Sequence, residues 1–214
     1  LDTTRSFKVT NTSAKKVSST KGMLSFAYTG AKTGGNEYIS AVLANSNGEA
    51  VYYGKIMQPT SADGVVSVEF PNGVATGSYT LKIFNEQVNG NNYTDYGSAF
   101  SDIAVTVVAT PVAPEIVLDP QNRTVTSGAN TTFTVAASGT LPLRHQRYSP
   151  TTTGTTSSNP ISASATPASY TTPPRSTYEG YTYQCAVPDE AGSYTSPLAT
   201  PTGPYKTAIK PQPK

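Results

Sequence analysis

The chain has 214 residues with 13% charged, 17 Gly, 17 Pro, 33 Thr and 23 Ser, no Trp, one Cys and one His. A lone Cys excludes an intramolecular disulfide and a cysteine-based metal cluster, and a lone His excludes a multi-histidine metal site. Residues 1–109 carry eight basic and eight acidic side chains, and the net +2 is accounted for by Lys206, Lys210 and Lys214 near the end, so no basic face is available to neutralise the phosphates of a nucleic acid.

Residues 6–108 read as about seven short strands, near 6–12, 22–30, 36–45, 50–57, 63–71, 77–86 and 99–108. Period-two alternation puts Leu24, Phe26 and Tyr28 on one face, and likewise Val66, Val68 and Phe70, then Tyr79, Leu81 and Ile83, then Ile103, Val105 and Val107. Gly34-Gly35, Asn47-Gly48, Asn72-Gly73 and Asn89-Gly90 fall between these runs, and Asn47-Gly48 reads as a type I′ hairpin turn joining 38–43 to 51–56. No window holds the i, i+3, i+4, i+7 stripe of a core helix.

Ala109-Thr-Pro-Val-Ala-Pro114 breaks the pattern as a short, semi-rigid linker, because its two prolines block ladder pairing. A second strand series follows at Ile116–Leu118, Asn122–Val125, Thr131–Ala137, Leu143–Tyr148, Ala168–Thr171, Tyr181–Val187 and Ser196–Thr200. Pro150–Pro160, nearly all Thr and Ser, reads as a loop. The expected class is all-β, two tandem β-sandwiches, with boundaries at 1–109 and 110–204 and a linker or disordered tail over 205–214.

In the second series, Phe133-Thr-Val-Ala-Ala-Ser-Gly139, Leu143-Arg-His-Gln-Arg-Tyr148 and Gly180-Tyr-Thr-Tyr-Gln-Cys-Ala-Val187 resemble the immunoglobulin-like domains of bacterial surface proteins over about residues 114–203. Tyr183-x-Cys185 is the most specific piece, matching the tyrosine corner of strand F. The resemblance implies that Cys185 faces the core. It sets Val135 where a bridging cysteine would stand, and Arg147 where the core tryptophan would, so that either this strand is shifted, or Arg147 snorkels to the rim, or an acidic partner such as Glu179 reaches it. The first series, through Val51-Tyr-Tyr-Gly-Lys-Ile56 and Gly77-Ser-Tyr-Thr-Leu-Lys-Ile-Phe84, resembles β-sandwich repeats of large surface-anchored proteins. That likeness implies an extracellular structural or binding module with no known chemistry.

The richest polar stretch, Asn85, Glu86, Gln87, Asn89, Asn91, Asn92 and Asp95, is expected to form an end loop of the first sandwich. Asn85, Glu86, Asn91 and Asp95 are its candidate ligand-binding residues, with oxygens suited to calcium or sugar hydroxyls, although the spacing is not that of an EF-hand. A solvated loop is the plainer alternative. Tyr52-Tyr53, Tyr93 and Tyr96 offer platforms for glycan stacking, yet alternation assigns half of each adjacent pair to packing. Glu86 with Asp95, or Asp189 with Glu190, lacks any sign of a cleft between carboxylates. Lys8, Lys21 and Lys55 are candidates for an isopeptide crosslink, without a diagnostic motif. The sequons at Asn11, Asn92, Asn122 and Asn130 number close to what this Ser/Thr content yields by chance. Cys185 reads as a buried thiol, and its pairing with His145 as a nucleophilic couple finds no activating turn.

The start, Leu1-Asp-Thr-Thr4, has no leader pattern, which suits a cytosolic chain or a mature fragment. No apolar run approaches the roughly 18 residues of a spanning helix, so no membrane insertion is expected. The expected function is a non-catalytic structural or adhesive module of a secreted or cell-surface bacterial protein, monomeric as a fragment. It takes no cofactor and no metal, and its partners are a glycan or a host or cell-wall protein. The alternative is a ligand-binding module that uses the end loops of the first sandwich.

Overall fold

The computed structural model describes residues 4–88, 94–96, 101–126, 128–143, 145–148, 161–163, 168–171, 183–188 and 191–202. Every regular element among them is a strand. The first set is β1 (Lys8–Val9), β2 (Lys15–Ser18), β3 (Gly22–Thr29), β4 (Glu37–Ala44), β5 (Ala50–Met57), β6 (Gly64–Glu69), β7 (Gly77–Val88), β8 (Thr94–Tyr96) and β9 (Ser101–Val108). β3 pairs antiparallel with β6 along its length and with β1 at its end. The facing sheet runs β2, β9, β7, β4, β5, with β8 continuing beside β7. Leu24, Phe26, Tyr28, Val66, Val68, Phe70, Leu81, Ile83, Ile103, Val105 and Val107 meet between the two sheets in one buried cluster, as alternation requires.

The strand expected at 6–12 is divided in two. Asn11 sits at φ 61°, a conformation Asn tolerates through its short polar side chain. Beyond it the chain crosses to the other sheet, where β2 lies parallel to β9 from Lys15↔Val105 to Ser18↔Val108. The Asn47-Gly48 hairpin also differs in detail. Gly48 alone has positive φ, 81°, and the Asn45 side-chain oxygen accepts the N–H groups of Asn47 and Glu49, so a five-residue turn replaces the expected type I′ pair.

The second set is β10 (Glu115–Leu118), β11 (Arg123–Thr124), β12 (Thr132–Thr140), β13 (His145–Tyr148), β14 (Ile161–Ala163), β15 (Ala168–Thr171), β16 (Gln184–Pro188), β17 (Ser193–Thr195) and β18 (Pro201–Thr202). β12 carries β10 and β15, the facing sheet runs β14, β13, β16, β17, and β11 lies parallel to β18. The strand expected at 196–200 is instead an isolated Tyr183↔Ala199 bridge between β17 and β18. In both sets an early strand pairs parallel with the last, and hairpin strands fill the two facing sheets. This is the immunoglobulin-like sandwich, present twice.

Val135 and Cys185 are both buried in the second core, where the resemblance sets a bridge. Cys185 keeps its thiol, outside any disulfide. Tyr183 stacks on Phe133, ring centroids 4.4 Å apart. Arg147 is level with Cys185 and Ile161 in the ladder; its side chain, Glu179 and residues 150–160 lie outside the described residues.

The two sandwiches share a seam. β12 runs on to pair with the start of β3, Gly139↔Met23 and Thr140↔Gly22. The Leu141 N–H continues the ladder to the Lys21 carbonyl at 2.7 Å, and the Ser25 N–H donates to Ser138 Oγ at 2.8 Å. Met23 faces away from its own sandwich and is 2% exposed, packed with Val135, Ala137, Leu143, Cys185 and Val187. The connecting segment is tied down too, since the Val112 N–H donates to Thr140 Oγ1 at 2.8 Å.

Candidate functional site

The expected end loop begins later than the sequence suggests. β7 extends through Val88, so Asn85 and Glu86 are strand residues whose side chains lie on opposite faces of the sheet. β4 and β8 hold them there, through Ile39↔Asn85, Tyr38↔Glu86 and Glu86↔Tyr96. Asn91 lies outside the described residues. Asp95 is level with Gln87 in β8, and its side chain is likewise outside the described residues.

On the inner face, Asn85 closes a buried polar cluster. Arg5 donates to both Glu37 carboxylate oxygens, at 2.6 and 3.2 Å, and to Asn85 Oδ1 at 3.0 Å. The same Oδ1 accepts the Lys32 N–H at 2.8 Å, and Asn85 Nδ2 donates to the Tyr38 carbonyl at 3.0 Å. The amide is thus engaged on both sides and fastens the segment before β1 and the β3–β4 connection to the sheet. A bidentate guanidinium–carboxylate pair tolerates such burial because the two opposite charges face one another directly.

On the outer face, Glu86 is 0% exposed. Ser40 and Tyr53 both donate their hydroxyls to its Oε1, and among the described residues Oε2 has no hydrogen-bond partner. Nearby, Lys55 Nζ lies 5.1 Å from the Tyr38 ring centroid, a cation–π distance. Nothing in the sequence points to Glu86 as buried, because its two donors are 46 and 33 residues away. A simultaneous alanine replacement of Asn85, Glu86 and Asp95 would therefore report first on folding.

The titration of Tyr28 is displaced. Its phenol is pushed upward, first by burial and then by the negative charge of Asp63. Its hydroxyl donates to the Ser61 carbonyl at 3.3 Å. At the seam, a cavity of about 420 Å³ is lined by Lys21, Tyr52, Glu69, Phe70, Asn72 and Leu141. Among the described residues no group of three or more His, Cys, Asp or Glu side chains is placed to hold a metal ion. No helix among them is long and apolar enough to cross a membrane.

No protein-family profile matches the chain, and no curated protein matches it. Solved structures similar to it are immunoglobulin tandems. The titin domains z1z2 in complex with telethonin are 16% identical over 94% of this chain and 98% of that one, with a TM-score of 0.36. The N-terminal Ig1-2 module of the Drosophila receptor protein tyrosine phosphatase DLAR is 18% identical over 92% and 98%, with a TM-score of 0.33. Dpr11 IG1 bound to DIP-gamma IG+IG2 is 10% identical over 92% and 98%, with a TM-score of 0.36. At these values the strand order, rather than the likeness, defines the class: a tandem of immunoglobulin-like β-sandwiches.

Proposed function

We propose that this chain is a non-catalytic structural or adhesive module of a secreted or cell-surface bacterial protein, in which two sandwiches hold a fixed relation and carry a neighbouring part away from the surface. The bacterial setting rests on the sequence resemblance of residues 114–203. The observation that supports the spacer role is the seam: strand pairing between β3 and β12, with Met23 buried in the second core. Tandem domains joined only by a linker move relative to one another by default, whereas a ladder and a shared core suppress that motion. The test is orientation in solution. Residual dipolar couplings from residues 22–29 and 132–140 should fit one alignment tensor. Two independent tensors would remove the support, and strong signals on a glycan array would favour the ligand-binding alternative instead.

A further inference from the structure

We propose that the cavity at the seam is a binding site for a small neutral saccharide. It deepens the adhesive side of the reading above and rests on the same seam. At about 420 Å³ the cavity has the size of a small-molecule site, and such sites favour the junctions between domains. Both sandwiches build it. Lys21 comes from the β2–β3 turn, Tyr52 from β5, Glu69 to Asn72 from the end of β6 and the loop after it, and Leu141 from just past β12 in the second sandwich. Phe70 with the half-buried Tyr52 and Leu141 forms the apolar wall, while the exposed Lys21, Glu69 and Asn72 bring an ammonium, a carboxylate and an amide.

The main chain and the side chains together select the ligand class. The Lys21 N–H donates to Asn72 Oδ1 at 3.0 Å, the Lys21 carbonyl accepts the Leu141 N–H at 2.7 Å, and the Phe70 N–H donates to the Gly22 carbonyl at 2.8 Å. With these groups engaged, a peptide held through main-chain hydrogen bonds is poorly served, and recognition falls to side chains. Among the described residues neither the Lys21 ammonium nor the Glu69 carboxylate enters a hydrogen bond or an ion pair, and Asn72 engages only its Oδ1. Sugar hydroxyls both donate and accept, so neighbouring ones satisfy an acceptor-only carboxylate and a donor-only ammonium and amide at once. One charge of each sign at the same cavity gives no net pull on an ion, which suits a neutral ligand. The apolar face of a sugar ring then has the Tyr52 ring to rest on. A Cβ on Gly54 would stand 2.2 Å from the Tyr52 hydroxyl, so the bare glycine is what lets that ring lie where it does.

The test is an NMR titration of the full 214-residue chain, read at the backbone amides, with maltose, lactose, cellobiose and N,N′-diacetylchitobiose, each taken to tens of millimolar. At least one sugar should give saturable shifts at Lys21, Tyr52, Glu69, Asn72 and Leu141. Molar sodium chloride should leave that response unchanged, since a neutral ligand has no charge to screen. Glu69→Ala should weaken binding about tenfold, the loss of one charge-assisted hydrogen bond, and so should Lys21→Gly, a replacement that suits the φ of 53° at that position. Both variants should keep the single alignment tensor. Absence of saturable shifts with all of these sugars, or shifts placed away from the cavity, overturns the proposal. Binding that salt abolishes overturns it too, because the cavity would then serve a charged group. A single tensor without sugar binding removes the site and leaves the spacer role standing, whereas two tensors remove the seam and both readings with it.

Discussion

Met23 is the sharpest point at which to test the seam. It belongs to β3 in sequence and to the second core in space, whereas its neighbour Leu24 belongs to the first core. Met23→Ala removes a methylene, a sulfur and a methyl from a site only 2% exposed. At about 0.8 kcal/mol per such group the transfer loss is roughly 2.4 kcal/mol, and the cavity left behind raises it to about 3–4 kcal/mol. That is a large share of a typical domain's stability. Native-state hydrogen exchange read by mass spectrometry localises the loss: amides of 133–140 and 184–188 should lose protection while those of 81–83 and 103–107 keep it. Leu24→Ala should give the reverse pattern. If Met23→Ala loosened the first core alone, or both cores equally, the assignment of Met23 to the second sandwich would be wrong.

Four further outcomes follow from particular contacts. Gly22→Ala would set a methyl 2.3 Å from Val17 Cγ2 and 2.6 Å from the Ser18 carbonyl, so chemical denaturation should show a loss of about 1–3 kcal/mol from overpacking. Arg5→Met alone should cost about 3–5 kcal/mol by stranding the Glu37 carboxylate, and the Arg5→Met/Glu37→Leu double variant should be more stable than either single one in urea titrations. Val135→Cys, once oxidised, should bridge to Cys185, lose two hydrogens in intact mass, and gain about 4 kcal/mol from closing the intervening loop. For Tyr28 the raised folded pKa means that the unfolded chain ionises first. The stability it contributes is complete below the ordinary phenol value of 10.0 and is lost as pH rises through the folded pKa, so Tyr28→Phe should flatten the alkaline decline seen in urea midpoints.

The cores of both sandwiches are largely legible because a strand with one buried face announces it by alternation. Leu24, Phe26 and Tyr28, or Ile103, Val105 and Val107, need no information beyond their spacing. The same rule misplaces Met23, since period two assigns it to an outer face, and that face is outer only until another sandwich is laid against it. Asn85 and Glu86 read as loop for a related reason. Their polarity suggests solvent, and what buries them is a set of partners from β4, β5 and the segment before β1 that no local window contains. The division of the first strand is likewise hidden, because it turns on one Asn adopting positive φ.

The parallel pairing of β2 with β9 has a mechanical consequence. Tension entering the first sandwich before β2 and leaving after β9 draws the two strands lengthwise in opposite senses. The four residue pairs from Lys15↔Val105 to Ser18↔Val108 must then slide past one another together, sharing the load, whereas the hydrogen bonds of an antiparallel hairpin pulled at its open end would break in succession.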